Sequence, residues 1–338
     1  MSAREPLRLG LLGASRIADL ALIQAARNTG DRLVAVAARD PRRAREFADG
    51  FGIERVVGTY QELIDDPEVD VVYNGLPNGL HGPWNLRAIA AGKHVLSEKP
   101  YASNAVEARQ VRDAAAARGV LCVEAFHYRF HPVMNRVLEI AASGEIGRVS
   151  LVDARMLMPP PPAADPRWVW GLAGGSLMDV GCYAIHAIRD LSTLLGGEPH
   201  VVSARGGQIP AHPGIDAWIE AELAYADGTP AMVHSAMTHG AWDFSLRVVG
   251  TLGEVYAPSY VLPHVDDRVI VTVGTEQRTE ELGRRSSYTF QLEALARAID
   301  GGEPFLTDAD DAVATMQLID DVYLAAQMPL RPTFALES

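Results

Sequence analysis

The sequence predicts an α/β protein in which a parallel, doubly wound sheet in the N-terminal part is followed by a second domain built on a mainly antiparallel sheet. Three observations carry this. From Leu7 to about Glu124, short apolar runs alternate with amphipathic helical patterns, the order that winds helices onto both faces of a parallel sheet. Beyond about residue 148 the runs lengthen and alternate with period two, as antiparallel strands do. The 338 residues also suffice for two domains, at about 100–200 residues each.

In chain order, the strands of the first part are Leu7–Leu12, Leu33–Ala38, Val69–Asn74, His94–Ser97 and Val120–Glu124. Helices fit between them at Ile17–Asn28, Pro41–Gly50, Tyr60–Ile64, Pro83–Ala91 and Asn104–Arg118, several closed by Gly30, Gly92 or Gly119. A helical stretch near Val133–Ser143 leads to strands at Val149–Met158, Val201–Gln208, Ala217–Tyr225, Pro230–Thr238 and Phe244–Gly250. Ala226-Asp227-Gly228-Thr229 separates two of these by hairpin spacing. One helix from about Ser176 to Leu195 interrupts the strands, and Ser287–Asp300 and Asp308–Gln327 close the chain, with Asp308, Asp310 and Asp311 suiting a helix N-terminus. The division runs 1–125 and 126–338, with the boundary region at 125–148 and the last helices free to pack back on the first domain.

Composition excludes several classes. Hydrophobic residues make up 48% and charged residues 22%, the balance of a folded globular chain. Every apolar run is interrupted before the ~18 residues that a membrane helix needs. A formal charge of −13 disfavours nucleic acid, whose binding rests on neutralising many phosphates, yet leaves room for one small anion on a local Arg cluster. Only Cys122 and Cys182 are present, too few for a disulfide framework, and no targeting segment is evident; both point to the cytoplasm.

The first strand runs into Gly13-Ala14-Ser15-Arg16-Ile17-Ala18, where a dinucleotide fold puts its Gly-x-Gly-x-x-Gly turn. Ser15 replaces the second glycine and Ala18 the third, an accepted variant. The turn opens a helix, whose N–H groups and dipole suit a phosphate. Where a carboxylate would hold the adenosine ribose, the second strand ends in Ala38 and Arg39, so a 2′-phosphate would meet a guanidinium. This favours NADP over NAD. Asp40 either caps the helix at Pro41 or turns inward and serves NAD.

A later strand ends in Ser97-Glu98-Lys99-Pro100, at the carboxyl edge where ligands of open α/β sheets bind, which makes Lys99 the prime catalytic candidate. In the second domain Asp179, Tyr183 and His186 are spaced four and three apart on an apolar helix, so a regular helix projects all three from one face. The stripe either handles protons or hydrogen-bonds internally. Pro159–Pro162 and Asp165-Pro166-Arg167-Trp168-Val169-Trp170 suggest a stiff, aromatic roof for a substrate: Trp faces stack on sugar C–H surfaces and Arg167 pairs with polar groups, or else the Trp residues are simply buried.

Together these residues resemble the glucose-fructose oxidoreductase / inositol dehydrogenase (Gfo/Idh/MocA) family. The resemblance spans nearly the whole chain, through Gly13–Ala18, Leu76-Pro77-Asn78-Gly79-Leu80-His81, Glu98-Lys99-Pro100, Glu124–Pro132 and Gly174–Tyr183. It implies a Rossmann domain plus a C-terminal α/β domain with a large, open, mainly antiparallel sheet that commonly mediates oligomerisation, as a dimer or tetramer. Where many inositol-dehydrogenase-like members carry His, this chain has Tyr183, as in the branch of glucose-fructose oxidoreductase, NADP-dependent xylose dehydrogenase and dihydrodiol dehydrogenase.

The resemblance implies Lys99, Asp179 and Tyr183 as the catalytic group, with Leu76, Pro77, Asn78, His81 and Glu98 near the nicotinamide; no metal is implied. Tyr128, Arg129, Arg167, Trp168, His186 and Tyr288 are candidate substrate contacts, His127 is a candidate specificity difference, and His131 is expected to be structural. Oxidising a secondary alcohol requires a group that removes the hydroxyl proton and returns it in reduction. Free Tyr titrates near pH ~10, and an adjacent ammonium such as Lys99 lowers it. The expected activity is NADP-dependent hydride transfer on a sugar, cyclic polyol or dihydrodiol; a cofactor-binding regulator and an NAD-assisted glycosidase are the alternatives.

Overall fold

The structure is a computed structural model that describes residues 4–336. Its residues divide into two compact units: the first takes the chain up to Phe126, Tyr288–Val313 and the segment from Phe334, and the second takes His127–Ser287 and Ala314–Thr333. Residues 288–313 return to the first unit.

In the first unit the elements are β1 (Arg8–Leu12), a wide π turn (Asp19–Ile23) running into α1 (Gln24–Thr29), β2 (Arg32–Ala37), α2 (Pro41–Phe51), β3 (Arg55–Val56), α3 (Tyr60–Asp65), β4 (Val71–Asn74), α4 (His81–Ala90), β5 (His94–Ser97), α5 (Ala105–Arg118) and β6 (Cys122–Glu124). The six strands form one parallel sheet, ordered β3-β2-β1-β4-β5-β6. The strand order reverses between β1 and β4, which opens the crevice where such sheets bind ligands. Leu9, Leu11, Val34, Val36, Val71, Val72 and Val95 are buried on both faces, the continuous apolar pattern of a covered parallel sheet. Gly10 belongs to this packing: a Cβ there would meet Leu63 at 2.8 Å and Val69 at 2.9 Å.

The second unit begins with α6 (Pro132–Ser143), capped by His131, whose Nδ1 accepts from Val133 N at 3.2 Å. Then come β7 (Val149–Leu157), a π turn (Leu177–Gly181), α7 (Cys182–Arg189), β8 (His200–Gln208), β9 (Asp216–Ala224), β10 (Pro230–Ala236), β11 (Leu246–Gly250), β12 (Gly253–Ala257), β13 (Arg268–Val273) and β14 (Glu276–Glu281). These eight strands are ordered β14-β13-β12-β11-β7-β10-β9-β8. All pairings are antiparallel except β7 with β10. One face buries Val152, Ala154, Ala231, Val233, Ile219 and Ala221 beneath α6 and α7. The other carries half-buried Asp153, Arg155, Trp218, Glu220 and His234, and a depression of about 420 Å³ is lined by four of them.

The chain ends with α8 (Ser287–Ile299) and α9 (Ala309–Ala325). In the first unit, Asn28 donates to Thr289 Oγ1 at 3.1 Å. Thr307 ties to the edge strand β6, its Oγ1 donating to Glu124 O at 2.6 Å. Asp308 caps α9 by accepting from Asp310 N and Asp311 N, both at 3.0 Å.

Two differences from the sequence pattern have physical causes. The single helix expected over Ser176–Leu195 is a π turn followed by an α-helix that ends at Arg189. Gly181 sits where a Cβ would meet Ser235 Oγ at 2.7 Å, so the wide turn is pressed onto β10. The strands β12 to β14 extend the sheet past Gly250; Glu276–Glu281 reads EQRTEE and carries no apolar alternation. Among the described residues no helix is long and apolar enough to cross a membrane, and no cluster of His, Cys, Asp and Glu could hold a metal ion.

The polar strand β14 is held by charge. Arg136 of α6 donates to Glu280 from Nε at 2.6 Å and from Nη2 at 3.0 Å, and Arg278 adds a third bond at 3.0 Å. These donors, Arg136 foremost, hold the Glu280 carboxyl down at about 2, below its ordinary 4.5. A lowered carboxyl stabilises the fold fully above the ordinary value and loses that contribution as pH falls toward the folded one. Glu280→Gln should therefore lower stability at pH 7 by about 1 kcal/mol, and by progressively less as pH falls through 4.5 toward 2, in urea titrations across that range; an equal loss at every pH would remove the ion pair as its cause.

Candidate functional site

The site residues fall into two groups, one on each unit. In the first unit Gly13 follows β1 with φ +88°, a left-handed conformation that glycine adopts without strain. Its N–H donates to Ala37 O at 2.8 Å, which brings the turn against the end of β2. A Cβ on Gly75 would meet the Tyr73 ring at 2.7 Å and Ser15 Oγ at 3.0 Å, so the ends of β1 and β4 meet backbone to side chain. Ser15 Oγ is buried and without a hydrogen-bond partner, and the following helix starts at Ala18 without a side-chain cap. An orphaned hydroxyl beside uncapped N–H groups fits a phosphate.

Arginines surround this turn. Arg16 and Arg39 are exposed, and Arg43 Nη2 donates to Ala14 O at 2.7 Å. Arg16 and Arg43 line a cavity of about 440 Å³ with Phe47 and Phe51. Asp40 is the cap of α2, Oδ1 accepting from Arg42 N at 2.9 Å and Arg43 N at 3.2 Å. Those N–H groups hold its carboxyl below the usual range, so the one acid at the end of β2 is engaged by its own helix. Ala38, just before it, is half-buried. Of the two expectations for Asp40, the cap is the one seen; that Arg43, the third residue of α2, reaches back to the glycine turn depends on how α2 packs.

At the end of β4, Asn74 is fully buried and donates to His81 O at 3.1 Å and Asn85 Oδ1 at 2.8 Å. It thereby fixes the segment Leu76-Pro77-Asn78. His81 bridges two carbonyls, Nε2 to Leu76 O and Nδ1 to Pro100 O, both at 2.7 Å. A neutral ring donates to only one of them; burial nonetheless lowers its pKa to about 4, with Lys99 acting in the same direction. Lys99 is half-buried, and the Lys99–Pro100 peptide bond is cis. Tyr73 Oη donates to Glu98 Oε1 at 3.0 Å, and burial with the Glu98 charge pushes both Tyr73 and Tyr288 upward. Tyr288, a candidate substrate contact by sequence, thus belongs to the first unit beside Glu98, and is almost fully buried.

In the second unit Asp179 lies in the π turn and accepts from Arg167 Nε at 2.5 Å. Arg167 is also held by Asp165, and the Asp179 charge is foremost in raising its pKa. Four residues on, Tyr183 Oη is 3.3 Å from His127 Nε2, and His127 Nδ1 is 2.8 Å from Ser287 Oγ. This phenol–imidazole–hydroxyl chain joins α7, the turn after β6 and the start of α8; Ser287 carried no sequence signal, because its contact with His127 spans 160 residues.

His186, three residues beyond Tyr183, belongs to a different cluster. Its Nδ1 is 2.5 Å from Tyr128 Oη and 3.6 Å from Asp190 Oδ2. Tyr128 also donates to Asp190 at 3.2 Å, as does Arg129 Nε at 2.6 Å. Tyr128 and His186 are 0% and 2% exposed; with Arg129 they form an internal scaffold whose Tyr128 ring packs edge-on to Tyr183, centroids 5.9 Å apart. Trp168 is buried and stacked on His212 at 4.9 Å, and the Trp170 ring is covered by the Arg331 guanidinium at 4.8 Å. The aromatic segment is therefore occupied largely by its own unit, with Arg167 as its most exposed polar side chain.

Comparison with known proteins follows this division. Residues 7–126 match the model of an oxidoreductase family with an NAD-binding Rossmann fold, and residues 134–256 match the GFO/IDH/MocA C-terminal domain. A D-xylose 1-dehydrogenase (NADP(+)) of Haloferax volcanii is 37% identical over 95% of this chain and 98% of its own. The mouse trans-1,2-dihydrobenzene-1,2-diol dehydrogenase is 36% identical over 69% of this chain and 68% of its own. Among solved structures, the 3-ketoreductase KijD10 of Actinomadura kijaniata, in complex with NADP and TDP-benzene, superimposes with a TM-score of 0.88 at 28% identity, covering 95% of this chain and 98% of that one. With both domain models matched in order and relatives of this identity along its length, the chain belongs to the Gfo/Idh/MocA family of oxidoreductases.

Proposed function

We propose that this protein is an NADP(H)-dependent dehydrogenase or reductase that moves hydride between the nicotinamide and a secondary alcohol or carbonyl of a sugar, cyclic polyol or dihydrodiol. The observation that carries the reading is the pairing, in one turn-and-helix segment of the second unit, of a phenol in a hydrogen-bonded chain with a carboxylate held by an arginine. The xylose and dihydrodiol dehydrogenases among its relatives support the substrate class.

Bound NADP supplies the hydride acceptor or donor. Gly13, Ala14, Ser15, Arg16 and Ile17 would hold its pyrophosphate, and Arg39 with Arg43 its 2′-phosphate, since Asp40 is committed to its helix. Leu76, Pro77, Asn78, His81 and Glu98 would border the nicotinamide. Tyr183 takes the hydroxyl proton in oxidation and returns it in reduction; Lys99 supplies the positive charge that makes its phenolate accessible near neutral pH. His127 stands ready to pass that proton toward Ser287. Asp179 and Arg167 present a carboxylate and guanidinium N–H groups to neighbouring substrate hydroxyls, while Tyr128, Arg129 and His186 brace Tyr183 from behind. We further propose a cytoplasmic protein that self-associates through the half-buried outer face of the eight-stranded sheet.

Two experiments test this. Tyr183→Phe and Lys99→Ala should each cut turnover about a hundredfold or more, followed by nicotinamide absorbance with D-xylose, inositols and dihydrodiols, while NADP binding measured by fluorescence persists. Full activity in both variants would remove the acid/base assignment. Arg39→Ala should weaken NADP binding by about tenfold and leave NAD binding unchanged, so the ratio of the two affinities reads the 2′-phosphate contact; an equal loss for both cofactors would place Arg39 elsewhere.

A further inference from the structure

A fully buried ion pair in the second unit lies outside the groups assigned so far. Asp216 opens β9 and Arg331 lies in the segment after α9; both side chains are 0% exposed. Asp216 Oδ2 accepts from Ser176 Oγ at 2.8 Å and Leu177 N at 2.7 Å. Its Oδ1 accepts from Tyr323 Oη at 2.9 Å and from Arg331 Nη2. One carboxylate therefore seats the first residues of the turn that carries Asp179, and it is itself held by the end of the chain.

Arg331 continues the arrangement on the other side. Its Nε donates to Gly174 O at 2.6 Å, and its guanidinium lies between the rings of Trp170 and Tyr323, at 4.8 and 4.3 Å. The backbone between Trp170 and Ser176 is shaped around the pair. Ala173 has φ +52° and Gly175 φ +135°, and a side chain on Gly175 would run into the Asp216 carboxylate and the Arg331 guanidinium. Gly174 N and Gly175 N donate to Val169 O at 3.1 Å and Arg167 O at 3.0 Å. The loop bearing Arg167 is thus folded against the glycine pair that Arg331 fixes.

We infer that Arg331 and Asp216 are positioning residues for the reaction proposed above: they set the start of the helix bearing Asp179 and Tyr183 and the loop bearing Arg167 in one fixed relation. The inference rests on that reading for its kinetic consequence, and on the geometry alone for its structural one. The pair acts through Ser176, Leu177 and Gly174. Small displacements of positioned groups cost rate steeply, so the effect belongs in turnover and sugar affinity and leaves NADP binding alone.

The test uses full-length Arg331→Met, Arg331→Lys and Tyr183→Phe proteins beside wild type. It reads amide exchange of peptides covering residues 165–183, NADP affinity, and kcat and KM separately for the sugar that wild type turns over best. Arg331→Met should speed exchange in that segment and lower kcat/KM for the sugar by about tenfold or more, with NADP affinity unchanged. Arg331→Lys keeps a charge on Asp216 and loses the fork to Gly174 O, so it should fall between the two. Unchanged exchange in a folded Arg331→Met protein overturns the inference, as does faster exchange with wild-type kcat and KM. If the Met variant does not fold, Arg331→Lys is judged by the same two criteria. Retained turnover in Tyr183→Phe would overturn the chemical assignment instead, and the exchange result would still show whether Arg331 sets the segment.

Discussion

A carboxylate withdrawn from water has to recover its hydrogen bonds inside the protein, and Asp216 recovers them from a helix start, a tyrosine and an arginine that have no other reason to meet. Removing one partner of such a buried pair typically costs about 3–5 kcal/mol, because the other is left charged and unpaired. That penalty makes the junction of β9, the Leu177–Gly181 turn and the segment after α9 hard to deform. Three side chains inherit their placement from it: Asp179 lies in the turn, Tyr183 follows on α7, and Arg167 hangs from the loop folded onto Gly175.

The first unit meets a different requirement. A strand-to-helix turn that receives a dianionic ligand needs unoccupied donors, whereas a folded protein tends to satisfy every donor it buries. Here Ser15 Oγ is left buried without a partner, beside the uncapped start of the first helix. Asp40, the acid at the end of β2, is turned onto two N–H groups of α2. Arg43, one turn into the same helix, is drawn toward the glycine turn by a backbone carbonyl.

Much of this was legible in the sequence. The apolar runs that became β1, β2, β4, β5 and β6 stand out because strands covered on both faces are apolar throughout, and the glycine turn, the Glu-Lys-Pro strand end and the Asp/Tyr helix were visible as motifs. What the sequence hid has a common physical character. Helical spacing put Asp179, Tyr183 and His186 on one face, but a π turn widens the helix between the first two, and their side chains go to three different partners: Arg167, His127 and Tyr128. Tyr128 and Arg129, expected as substrate contacts, both donate to Asp190, a bond that spacing does not announce. The strand Glu276–Glu281 is held by ion pairs and leaves no apolar trace. Long-range polar pairing of this kind, with partners more than a hundred residues apart as at Ser287 and Arg331, has no periodicity to betray it.

The path of the chain between the two units has a consequence of its own. Residues 288–313 return to the first unit between the two stretches that make up the second, and Thr307 binds back to the edge strand at Glu124. A gene fragment ending at residue 126 would encode every strand of the nucleotide half and still lack the helix that bonds to Asn28. The first unit is therefore not a contiguous module: recombination or truncation at a single point delivers neither unit intact, and any transplant of it has to carry three separate stretches of the chain.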